Sequence, residues 1–110
     1  MGFQEQEIFA QQATTSAISA YSPEEGETAI IKQLTICNHE NAAQLWSLWI
    51  DDDGSTYDDD SVKYEDIEIP ANTTILLDCY YPMNNALGNL AIKADADSKI
   101  AISGHGAIVT

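Results

Sequence analysis

The residues in this chain that could do chemistry are mostly carboxylates, and they crowd into one stretch. Residues 50 to 66 read IDDDGSTYDDDSVKYED, in which eight of seventeen residues are acidic and one is lysine. Clustered carboxylates attract hard divalent cations, so the first chemistry to test is calcium binding. An EF-hand loop needs acidic ligands at positions 1, 3 and 5, glycine at 6 and glutamate at 12. With Gly54 at position 6, Asp53 and Asp51 fall on 5 and 3, but position 1 is Trp49 and position 12 is Asp60. The first ligand is missing, the last is too short, and the flanking segments read as strands. The EF-hand pattern therefore fails. Two readings of the stretch stay open. Asp51, Asp53, Asp58 and Asp60 are the residues a looser divalent-ion site would use; otherwise this is a plain solvated acidic loop, and no cofactor is expected.

Catalysis finds little else to work with. His39 lies in the turn sequence NHEN and His105 between two glycines in SGHG. Neither sits in a nucleophile elbow, a zinc-binding helix motif or a phosphate-binding glycine loop. The chain has four lysines and no arginine, so few cations exist to stabilise an oxyanion or phosphate. The expectation is a protein that is not an enzyme. Cys37 and Cys79 are expected to be free thiols. If the apolar faces of their two strands share one core, the sulfurs point in different directions, and a bridge needs close Cβ atoms.

Charge excludes further classes. Eighteen acidic residues against four basic ones give a formal net charge of −14 over 110 residues. Phosphate backbones would be repelled, so nucleic acid is not an expected partner. Anionic membranes are excluded on the same ground. Such a charge keeps a chain soluble and suits high salt, where screening weakens self-repulsion. The opening MGFQEQEIFA lacks the basic region and apolar run of a secretion signal. Gln6 stands where a myristoylation signal needs Ser or Thr. Asn72-Thr73-Thr74 has the form of a glycosylation sequon.

The elements that must position these residues follow a period of two. Segments 28–38, 44–50, 61–69, 73–80, 90–95 and 99–109 read as strands, with a weaker one in 13–22. In 28–38, Ile30, Leu34 and Ile36 are expected on one face and Cys37 on the other. In 44–50 both faces are apolar: Leu45 and Trp49 on one, Trp46, Leu48 and Ile50 on the other. In 61–69 the phase slips between Tyr64 and Ile67, and a bulge at Glu65-Asp66 would repair it. Segments 90–95 and 99–109 flank a short turn and are expected to form a hairpin. About seven to eight short strands separated by turn signals predict an all-β, antiparallel sandwich of jelly-roll or immunoglobulin-like type over 13–110. The expected core includes Ile36, Leu48, Ile75, Leu77, Ile92 and Ile102. Residues 1–12, rich in Gln and Glu around Phe3, Ile8 and Phe9, are expected to be an N-terminal arm outside the sandwich.

From about residue 26 onward, three runs carry a resemblance: GETAIIKQLTICN, IEIPANTTILLD and LAIKADADSKIAISG. They resemble the small β-sandwich virion structural proteins of tailed phages and archaeal tailed viruses. The resemblance covers about three-quarters of the chain and rests on β-turn patterns, not on catalytic residues. It implies a capsid decoration (cement) protein that binds and stabilises the shell, or a head–tail or tail accessory protein. The implied location is the virion, on the capsid surface or tail, after assembly in the host cytoplasm. The implied partners are the major capsid protein or other virion proteins. The acidic loop and the Gln/Glu arm depart from the pattern. The residues expected at the interface are Phe3, Ile8 and Phe9 of the arm, with Trp46 and Trp49. A homo-oligomer, most naturally a trimer, would cover the second apolar face of 44–50. A different class remains: a module that holds a host glycan or receptor through Tyr57, Tyr64, Tyr80 and Tyr81.

Overall fold

The computed structural model describes residues 3–51, 57, 58, 60–84 and 87–109. Eight strands run in the order β1 (Phe3–Gln12), β2 (Ile18–Tyr21), β3 (Thr28–Asn38), β4 (Gln44–Asp51), β5 (Val62–Ile69), β6 (Thr73–Met83), β7 (Asn89–Ala94) and β8 (Ile100–Val109). They form two four-stranded antiparallel sheets, ordered β1-β8-β3-β6 and β2-β7-β4-β5. Seven connections join these strands, and only β4 to β5 stays within one sheet. That order is a jelly roll, one of the ways an antiparallel sandwich limits its open edges. The immunoglobulin-like alternative does not fit it.

Two expectations are corrected here. Residues 3–12 are not an arm: β1 pairs along its length with β8, from Phe3 opposite Val109 to Gln12 opposite Ala101. The reason is Phe9, which is buried at 6% exposure and seated over Gly104, where a Cβ would overlap its ring. A glycine opposite a phenylalanine opens the space that lets an otherwise polar strand dock. Nor do β7 and β8 form a hairpin. β7 lies between β2 and β4, while β8 lies between β1 and β3. The turn between them crosses from one sheet to the other. Ala94 N–H donates to Thr14 O at 2.8 Å, and Asp95 N–H to Leu45 O at 3.2 Å.

The core is the space between the sheets. Trp46, Leu48, Ile69, Leu90 and Ile92 from one sheet meet Ile31, Leu34, Ile36, Met83, Ile100 and Ile102 from the other, all essentially inaccessible. Ile75 and Leu77 pack against this cluster half-buried. Period-two alternation produces this directly, except where bulges reset it. In β3 the ladder shifts at Lys32 on both sides, so Ala29 and Ile31 point inward before the shift, and Leu34, Ile36 and Asn38 after it. Ile30 therefore lies on the opposite face from Leu34 and Ile36, contrary to the simple alternation read from the sequence.

The bulge expected in β5 is present. Trp46 pairs with Ile67 and Leu48 with Tyr64, so Glu65 and Asp66 together oppose Ser47. Asp66 has φ 48° and its N–H donates to the buried Ser47 Oγ at 2.9 Å. Aspartate tolerates this left-handed conformation better than branched residues do. Asp66→Val is expected to lower stability by about 1–2 kcal/mol, whereas Asp66→Gly is expected to be neutral or slightly stabilising. Urea unfolding of the two variants checks this. Equal midpoints for valine and glycine would contradict a conformational role for the position.

Candidate functional site

The connections sort by charge. Strands β2, β4 and β6 finish at one end of the sandwich, where β3, β5 and β7 begin, so three connections start there, as the pairings Tyr21–Leu90, Asp51–Asn89 and Thr28–Val109 show. Glu24, Glu25, Glu27, Asp51, Asp58 and Asp60 lie at this end, and no lysine occurs in the sequence of these three connections. The other end gathers residues 13–17, 39–43, 70–72 and 95–99 into a mutually bonded set. Thr15 N–H donates to Asp97 Oδ1 at 2.8 Å, His39 N–H to Lys99 O at 3.1 Å, and Asn72 N–H to Glu40 O at 3.1 Å. There Lys99 pairs with Glu40 at 2.8 Å. That hydrogen bond first, and the backbone N–H of Asn41 next, hold the Glu40 carboxyl below its usual range.

At the acidic end, Asp58 caps a turn. Its carbonyl accepts from the N–H groups of Ser61 and Val62 at 3.2 and 3.1 Å, and its Oδ1 accepts from Asp60 N–H at 3.0 Å. Asp58 and Asp60 are exposed and Asp51 is half-buried. Asp53, the fourth member of the possible cation cluster, lies outside the described residues. Among the described residues, no three metal-ligating side chains come together. Tyr57 packs on Trp49, with ring centroids 6.3 Å apart and planes tilted by 44°. Tyr57 thus lies against the outer apolar face of β4.

The residues expected at an interface separate into three groups. Phe9 and Trp46 are core residues, spent within the chain, and present nothing to a partner. The reason for Trp46 is parity: with Leu48 and Ile50 it takes the inward face. Ile8 is the extra residue of the β1 bulge and packs half-buried against the core, while Trp49 is half-buried under Tyr57. Phe3 opens β1, and its side chain lies outside the described part of the structure. Among the described residues, the exposed large apolar groups are elsewhere: Leu76 at 62%, Tyr80 at 67%, Leu87 at 72% and Ile67 at 39%. Leu76 and Tyr80 sit on one face of β6. The alternation of TTILLDCYY carries a signal for them, since Leu76 and Tyr80 share the parity opposite to the inward Ile75, Leu77 and Cys79.

The tyrosines also divide. Tyr64 stacks at 5.0 Å on Trp46 and meets Tyr81 edge-on at 6.4 Å, and Tyr81 Oη donates to Tyr64 Oη at 3.2 Å. This chain of rings joins the two sheets between β5 and β6. Burial first, and the Tyr64 contact second, hold the Tyr81 phenol well above its usual range. These two rings form a tie between the sheets. Cys37 and Cys79 are free, as expected. Burial, aided by Asp78, raises the Cys79 thiol.

Histidine 105 belongs to a polar row across the outer face of the β1-β8-β3-β6 sheet. Glu7, His105, Gln33 and Asp78 stand opposite one another in register. His105 Nε2 is 3.7 Å from Glu7 Oε2, and Gln33 Nε2 donates to Asp78 Oδ1 at 3.4 Å. Lys32 Nζ reaches Glu5 at 2.9 Å beside them, and the group lines a shallow open trough. His105 Nδ1 is buried, and no hydrogen-bond partner meets it among the described residues. The row is an ordered, open surface on the outer face of the sheet.

No protein-family model matches the chain, and no curated protein matches it. Among solved structures, the chain is similar to a chain in the structure of infectious bursal disease virus, Gx strain. The TM-score is 0.59 at 12% identity, over 97% of this chain and 32% of that one. The chain therefore spans about a third of the length of the structure it matches. At this identity the likeness is one of fold.

Proposed function

We propose that this chain is a non-enzymatic virion structural protein, and specifically a decoration module seated on a capsid shell. The observation that carries the reading is the jelly-roll sheet order, β1-β8-β3-β6 over β2-β7-β4-β5, taken together with its likeness to a chain of a virus structure. Jelly rolls serve viral capsids, and also lectins and cupins, so the fold alone does not choose among them. The side chains favour a contact role. Tyr64 and Tyr81, two of the four tyrosines a glycan site would have used, are committed to inter-sheet packing. The histidine row on the outer sheet face is an ordered surface. The concentration of carboxylates at one end would point that end away from an anionic shell.

Particles purified on a density gradient are the direct test. The chain is expected to co-band with the shell protein in fixed stoichiometry and to remain through washing. Recovery in the soluble fraction, away from particles, overturns the reading.

A further inference from the structure

The β5 bulge sets Asp66 against Ser47 and forms one wall of a cleft of about 260 Å³ on the outer face of the β2-β7-β4-β5 sheet. Bulges often re-aim side chains beside functional sites. Ser47 faces outward from β4 between Leu45 and Trp49, yet it is only 3% exposed. Its Oγ accepts from Asp66 N–H at 2.9 Å, and its own O–H meets no acceptor among the described residues. A buried donor is ordinarily matched by an acceptor, and Ser47 lines the cleft in which one can stand. Lys93 lies opposite Ser47 on β7. Of the four lysines, Lys32 pairs with Glu5, Lys99 pairs with Glu40, and Lys63 stands 6.0 Å above the Tyr81 ring. Lys93 has no ion-pair partner among the described residues, although Asp66 and Asp95 line the same cleft. The Asp66 carboxylate is unpaired among them too. Asp95 is fixed in place, because its Oδ1 accepts from Leu45 N–H at 3.2 Å.

We propose that this cleft binds a small zwitterion, a free α-amino acid with a short side chain. Its carboxylate is taken by Lys93 Nζ and the Ser47 hydroxyl, and its ammonium group by Asp66 and Asp95. Its side chain meets Leu45 and Ala94, which also line the cleft. Hydrogen bonds between charged groups are the strong ones, and here both ends of the ligand make them. The charges on the cleft select against simpler ligands. An anion is repelled by the two carboxylates and by the net charge of −14. A plain cation is drawn to Asp66 and Asp95 but opposed by Lys93. Quaternary ammonium groups and sugar rings are held on aromatic faces, and no aromatic ring among the described residues lines the cleft. Its size lies just under the ~300–1,000 Å³ of sites for drug-sized ligands, which leaves room for little beyond the two charged groups. This inference does not rest on the virion reading.

Nuclear magnetic resonance titration of the isotope-labelled full chain with L-alanine at low salt tests it, with acetate, methylamine, betaine and glucose as separate probes. L-alanine is expected to saturate and to shift the amide signals of Ser47, Asp66 and Lys93. Lys93→Met and Asp66→Asn are each expected to weaken binding about tenfold or more, and Ser47→Ala severalfold. Lys93 is exposed, and asparagine accepts the left-handed backbone of position 66, so both charge variants are expected to keep the wild-type spectrum away from the cleft. The proposal is overturned if L-alanine gives no saturable shift at any concentration up to its solubility. It is equally overturned if any of the four other probes binds as tightly as L-alanine, or if both charge variants bind L-alanine undiminished.

Discussion

Replacing Gly106 by alanine is expected to destabilise the fold by at least about 3 kcal/mol, more than the same change at Gly104, two residues away. The difference lies in what each added methyl would meet. At Gly104 it meets the tip of the Phe9 ring, which can tilt. At Gly106 it overlaps the carbonyl oxygen of Ile30, with Ile30 C at 2.9 Å and Lys32 N at 3.1 Å, all of them backbone. The bulge at Lys32 presses the β3 main chain onto β8 at this point, and only a residue without a side chain fits beneath it. An alanine must push two central strands apart and break ladder hydrogen bonds that no other partner can replace. Urea unfolding of the two variants gives the ranking. If Gly106→Ala is too unstable to purify while Gly104→Ala yields folded protein, the ranking also holds. Equal losses would mean that the β3–β8 contact relaxes freely, and the argument from backbone crowding would be wrong.

That glycine marks the limit of what alternation could reveal. The spans of β3 to β8 were legible within a few residues because their apolar positions recur every second residue. The β5 bulge was legible too, since Val62 and Tyr64 fall out of phase with Ile67 and Ile69. The bulge in β3 was not. Lys32 interrupts an apolar run in which Ile30 and Ile31 look alike, so nothing in the residue types shows which isoleucine faces inward. β1 was hidden for a different reason. An edge strand with one buried phenylalanine carries almost no periodic signal, and the residue that seats it, Gly104, is ninety-five positions away. The pairing of β7 and β8 in different sheets was equally invisible, because a short turn can close a hairpin or cross a sandwich. For the site, parity separated Trp46 from Trp49 correctly, but it could not say that Tyr57 would fold back to cover the outward one.

The runs that carried the family resemblance turn out to sit at joints of the jelly roll. Ser103-Gly104 makes the seat for Phe9. Pro70-Ala71-Asn72 turns the chain from one sheet to the other, with Asn72 at φ 54°. Cys37-Asn38 closes β3 beside that turn. Each is required by the sandwich itself, which is why these residues speak to architecture and leave the choice of partner to the surfaces between them.

Asn38 gives the second large expected effect. Its side chain is fully buried. Nδ2 donates toward Ala42 O at 2.9 Å and toward Ile69 O and Pro70 O at 3.1 Å each, while Oδ1 accepts from Glu40 N–H at 3.0 Å. One amide thereby ties the end of β3 in one sheet to the end of β5 in the other. Asn38→Asp keeps the shape and replaces the donor by an acceptor. The carboxylate would face three carbonyl oxygens, and those carbonyls would lose their donor. The expected loss at neutral pH is about 3–5 kcal/mol. The variant also carries a pH signature. Burial against carbonyls raises the folded-state pKa of the new carboxyl above its unfolded value of about 3.9. The folded state then binds the extra proton, so stability relative to wild type is highest below that unfolded value. It falls as pH rises through the interval up to the raised pKa, and is flat beyond it. Asn38→Ala lacks the titrating group and is expected to lose about 2–3 kcal/mol from the orphaned carbonyls, with no such slope. Urea midpoints for wild type and both variants across acid to neutral pH separate the cases. A pH-independent deficit in Asn38→Asp, equal to that of alanine, would show that water reaches this joint and that the amide is not the tie between the sheets.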